Sequence, residues 1–171
     1  AIGNGEYGLI LLEISCPIDP CIQTTIETEG AVKDVESQDS LLYVAEGSAG
    51  VALYNISDLE NPIHLNQYDT EGFANKIALF GGNKVAVSDW EDVKVLEWTG
   101  TELELVGYKK TGKRTMAIAA RDSVIYSAEW QHLQTFTFGE DIDYITGDII
   151  VTVGTTVDMD IRSLTVADSK T

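Results

Sequence analysis

Three carboxylates occupy one position of a recurring pattern: Glu46, Asp89 and Glu129 each follow a short apolar run and open a loop. In two of those loops a tryptophan comes directly after the acid, Trp90 and Trp130. Acids converging at one end of a molecule could hold Ca²⁺, which takes about six to eight oxygen ligands. Glu29 and Glu71, each in a Thr-Glu-Gly turn, would add to the same end. No contiguous loop has the alternating Asp/Asn spacing that specifies calcium, so the competing expectation is a repeated surface acid that hydrogen-bonds loop backbone. Exposed tryptophans beside carboxylates are what a sugar- or peptide-binding face uses. The competing role for them is packing on a neighbouring element. The candidate ligand-binding face is Glu46, Asp89, Trp90, Glu129 and Trp130, and the metal candidates are Glu46, Asp89 and Glu129.

Other chemistry finds no support. The sequence has no Gly-x-Ser-x-Gly elbow, zinc-protease histidine pair, phosphate-cradling loop or Cys/His/Asn constellation. Its two histidines, His64 and His132, make no ligand set. No catalytic residue is assigned, and calcium is the one cofactor the acids invite. The rival is an enzyme acting on polysaccharide, with Glu46, Asp89 or Glu129 as acid/base pairs at the roughly 5 to 9.5 Å separation such chemistry needs. Cys16 and Cys21 flank a turn containing Pro17 and Pro20. A turn this tight allows a bridge if the two Cβ atoms face each other. Two cysteines are too few for zinc, and the spacing is not that of a redox pair. A structural disulfide is expected, and with it an oxidising, extracytoplasmic setting. The sequon Asn55-Ile56-Ser57 is expected inside a buried strand and is discounted.

The 28 acidic residues against 11 basic give a formal charge of −17. Phosphate binding is driven by Lys and Arg, so nucleic acid is excluded as a partner, as is an anionic membrane surface. A cation, a cationic partner or plain solubility remain compatible with this charge. No apolar run approaches the roughly 18 residues that would span a membrane. The first residues lack the basic and apolar stretches of a signal peptide, so the signal of an exported protein is expected to lie upstream or to have been removed.

What positions these residues is a repeat. Residues 8–30 align without a gap on 50–72, with Gly8/Gly50, Leu11/Leu53, Ile14/Ile56, Ser15/Ser57, Pro20/Pro62, Thr28/Thr70, Glu29/Glu71 and Gly30/Gly72 identical. Asp39-Ser40-Leu41-Leu42-Tyr43-Val44-Ala45-Glu46 matches Asp122-Ser123-Val124-Ile125-Tyr126-Ser127-Ala128-Glu129 two periods on, with 83–89 a weaker copy between them. Each period of about 42 residues holds four β-like runs, in the best copy 32–36, 41–45, 51–56 and 63–68. Several are apolar on both faces and must be covered on both sides, as stacked propeller blades are. The expected fold is all-β, a partial propeller of four-stranded blades over 1–139: a partial blade 1–30, blades 31–72 and 73–112, and a partial blade 113–139. Residues 140–171 are expected either as divergent strands or as the start of an immunoglobulin-like β-sandwich module.

The run Tyr43-Val44-Ala45-Glu46-Gly47, Gly50-Val51-Ala52-Leu53-Tyr54-Asn55-Ile56-Ser57-Asp58, Asn61-Pro62 and Tyr68-Asp69-Thr70-Glu71-Gly72 resembles the LVIVD repeat. The resemblance covers about residues 5–138. The third copy departs from it at Trp98-Thr99-Gly100, and the fourth at Phe138-Gly139-Glu140. It implies a propeller of secreted or surface-attached proteins and carries no catalytic residues. Too few blades are present to close a ring, so the rest of the propeller is expected from the same or another chain. A non-catalytic surface for protein or glycan contact, or a module of a larger surface assembly, is the expected function. A calcium-stabilised scaffold is a second alternative.

Overall fold

The computed structural model describes residues 1–15, 18–130 and 132–139, which form an all-β structure with no helix among them. The first sheet contains β1 (Ile2–Gly3), β2 (Leu9–Glu13) and β3 (Cys21–Ile26). The second contains β4 (Asp34–Gln38), β5 (Leu41–Ala45), β6 (Val51–Asn55) and β7 (Ile63–Tyr68). The third contains β8 (Ala74–Phe80), β9 (Lys84–Asp89), β10 (Asp92–Trp98) and β11 (Leu103–Lys110), and the fourth β12 (Thr115–Arg121), β13 (Val124–Glu129) and β14 (Leu133–Thr137). Within each sheet, strands adjacent in sequence pair antiparallel. Runs 41–45 and 63–68 are strands as expected, while the run at 32–36 shifts two residues to become β4. The first sheet has a strand ahead of the expected one. Two residues of β1 carry too little pattern to be seen in sequence, yet they pair with Leu9 and Ile10.

The apolar runs are two-sided because each inner sheet is covered twice. Leu42, Val44, Ala52 and Tyr54 of the second sheet pack with Leu9 and Leu11 of the first. The alternate residues Tyr43, Ala45, Val51 and Leu53 pack with Ile77, Val85, Val87 and Leu96 of the third. Ala86, Val93 and Val95 then meet Ile118, Ile125 and Phe136 of the fourth. The sheets stack face to face in chain order, and each buried Leu, Ile or Val side chain contributes about 1.5–3 kcal/mol.

Irregularities recur with the repeat. Register shifts fall at Leu11/Leu12, Leu53/Tyr54 and Val95/Leu96, the same position in three sheets. A second kind recurs at Ala74/Lys76 and Thr115/Ala117. Such bulges add twist where they occur, so successive sheets share their curvature. Backbone stitches join neighbouring sheets: Gly5 bridges to Val32, Gly47 bridges to Ala74, and the Thr115 N–H donates to the Trp90 carbonyl at 2.6 Å. In the second and third sheets the loop after the second strand is tied to the beginning of the next sheet, and in the first sheet the loop after β1 is.

Cys21 is exposed, and no disulfide joins the described residues. The expected Cys16–Cys21 bridge involves Cys16, which lies outside them, as does the expected module at 140–171. No described helix is long and apolar enough to cross a membrane.

Candidate functional site: buried carboxylates beneath a tryptophan-walled cleft

The three acids in register are not surface groups. Glu46, Asp89 and Glu129 are 0%, 1% and 0% exposed. Alternation explains why: Glu46 continues the side of β5 that carries Leu42 and Val44, which faces the preceding sheet. Sequence fixes the register of an acid but not that the turn of the previous sheet closes over it.

Each acid meets a different environment. Glu46 accepts from the Tyr54 hydroxyl and the Gln67 side-chain amide, both at 3.5 Å. Burial pushes its pKa up, and the amides of Gly30 and Glu29, from the first Thr-Glu-Gly turn, oppose that. Tyr54 is raised in turn, by burial and then by the Glu46 charge. Asp89 pairs with the Lys94 ammonium and accepts from the Thr70 hydroxyl at 2.9 Å. Asp92 approaches the same ammonium at 3.3 Å. Burial alone would lower the Lys94 pKa, but its bond to Asp89 and the two carboxylate charges outweigh it, and the pKa is raised. In Glu129 neither carboxylate oxygen makes a hydrogen bond of good geometry with a described residue, and the nearby Ser127 hydroxyl is equally unpaired. Burial lifts Glu129 to about 7, against smaller opposing effects of Gln134 and Lys113. No three His, Cys, Asp or Glu side chains come together as metal ligands among the described residues.

Above the Asp89–Lys94 pair lies a cleft of about 440 Å³, in the size range of ligand sites. Glu71 and Gly72 from the turn, Trp90 and Glu91 from the β9–β10 loop, and Tyr108 and Lys110 from β11 wall it. Trp90 is 45% exposed. It is also held at φ +51°, where Gly5 and Gly47 of the sister loops sit at +58°. A bulky side chain in the left-handed region is a real outlier, and such strain clusters at functional positions.

Trp90 belongs to a row of two rings flanked by two cations along this end of the sheets. The Lys33 ammonium sits 5.4 Å from the Phe73 ring, Phe73 meets Trp90 edge to face at 5.9 Å, and the Arg114 guanidinium lies 4.3 Å from the Trp90 ring centre. The Arg114 carbonyl accepts from the Trp130 backbone N–H at 3.0 Å, which places the Trp130 backbone beside Arg114. Trp130 is 52% exposed. Of the candidate face, Asp89 and Trp90 share the cleft, Trp130 lies outside its lining, and Glu46 and Glu129 lie in other sheet interfaces.

Sequence reasoning passed over Lys94, Phe73, Tyr108 and Arg114. One signal was available for Lys94: it replaces Ala52 of the equivalent strand, a charge in an otherwise apolar row. His64 stacks edge to face on Tyr54 at 5.1 Å, and the Asn55 side chain accepts from the Ser57 N–H at 2.8 Å. No family model and no curated protein matches the chain.

Proposed function

We propose that the chain is a non-catalytic segment of an LVIVD-like β-propeller that works outside the cytoplasm as a surface for protein or glycan contact. The remaining blades come from the same or another chain. Recurrence of bulges and inter-sheet stitches at the repeat spacing supports the propeller reading. The observation that carries the binding reading is Trp90: a half-exposed tryptophan, in a backbone conformation that two of its three sister loops give to glycine, at the wall of a cleft. Strain of this kind is retained where the side chain is needed.

The enzyme alternative loses support from the same geometry, since two of its three acids face buried interfaces and Asp89 is tied to Lys94. The test presents the chain to arrays of glycans and of peptides, with Trp90→Gly and Trp130→Ala alongside. Specific capture by the parent and its loss in Trp90→Gly is the expected result. Turnover of a polysaccharide, abolished by Asp89→Asn, would replace the binding reading with the enzymatic one. A melting temperature lowered by chelator would instead favour the calcium scaffold.

A further inference from the structure

We infer that the Trp90 cleft is a receptor for a cationic side chain, an arginine or lysine presented by a basic peptide segment. This rests on the binding reading above and names its ligand class. The cleft lining holds four carboxylates, Glu71, Asp89, Glu91 and Asp92, against two ammonium groups, Lys94 and Lys110. Lys94 is already engaged by Asp89 and Asp92, which leaves the exposed Glu71 and Glu91 with Lys110 as the other cation of the lining. A cation entering there meets the lining aromatics Trp90 and Tyr108 together with carboxylates, the pairing that recognises guanidinium and ammonium groups.

The chain supplies internal examples of the contact. Two rings of the same row, Phe73 and Trp90, already carry a cation from their own chain, Lys33 and Arg114. The ring row therefore takes cations where the chain offers them, and the cleft extends it to a place where it offers none unpaired but Lys110. The net charge of −17 draws cationic ligands toward the molecule and repels anionic ones. A neutral sugar would use the Trp90 ring but gain nothing from the carboxylates' charge.

The test titrates the full chain with a short acetylated, amidated peptide containing two arginines, and with its citrulline counterpart, at physiological salt. Citrulline keeps the shape and loses the charge. Calorimetry should show the arginine peptide bound and the citrulline peptide at least about tenfold weaker. Trp90→Gly, which places there the glycine found at Gly5 and Gly47, should bind the arginine peptide about tenfold less while melting as the parent does. Glu71→Gln with Glu91→Gln should weaken it as well. Equal binding by parent and Trp90→Gly would assign the affinity to diffuse charge and overturn the inference. Failure of the peptide alongside Trp90-dependent capture of a neutral glycan would overturn it while leaving the binding surface intact. Failure of both would remove the surface too.

Discussion

At the scale of the residue, one register position has three fates. Asp89 has a full charge partner in Lys94, Glu46 has neutral donors, and Glu129 has no good partner among the described residues. Lys94→Met should leave Asp89 buried and unpaired and destabilise by about 3–5 kcal/mol. Replacing both by apolar residues should recover most of that, and denaturant unfolding of the single and double variants distinguishes the two cases. Glu129 makes the pH prediction. Its folded pKa of about 7 stands above the ordinary 4.5, so the native state holds the proton more tightly than the unfolded chain. Stability from this group is therefore fully present below 4.5, falls as pH rises through 7, and is level above. The loss is on the order of 3 kcal/mol, and Glu129→Gln should flatten the profile between those pH values. A slope unchanged in the glutamine variant would count against it. The register of the acids was legible in the sequence, but their burial was not. It depends on a turn of the preceding sheet, which lies many residues away and carries no mark of what it covers.

At the scale of the element, strands were the most legible feature because two-sided apolar runs such as Val51–Asn55 admit few other structures. Bulges were not, since an extra residue in one strand changes pairing without changing composition. Glycines divide into two kinds that look alike in sequence. Gly50 sits at φ +85°, and a Cβ there would lie 2.1 Å from the Tyr68 carbonyl oxygen. Gly50→Ala should therefore cost about 2 kcal/mol or more, seen as a lowered melting temperature. Gly5 has the left-handed φ of Trp90, and a Cβ there would meet nothing within 4 Å. A loop that needs left-handed backbone but has room outward can admit tryptophan, and no single sequence distinguishes that loop from the crowded one.

At the scale of the whole molecule, each sheet packs against its neighbours in chain order, so stability is close to a sum of sheets and nearest interfaces. A core deletion at one interface, Leu53→Ala between the second and third sheets, should cost about 2–5 kcal/mol. Hydrogen exchange should show the loss concentrated in those two sheets, and uniform loss of protection across all four would contradict this. The repeat announced this modular plan. What it did not announce is how each module is finished. The loop that ends a sheet's second strand is hydrogen-bonded to residues that open the following sheet, as Gly47 is to Ala74. During synthesis from the N-terminus, a sheet can therefore assemble its own strands but cannot seal that loop until its successor begins to emerge. Growth on the ribosome would pass through a series of half-latched intermediates, each protected by the next segment to leave the tunnel.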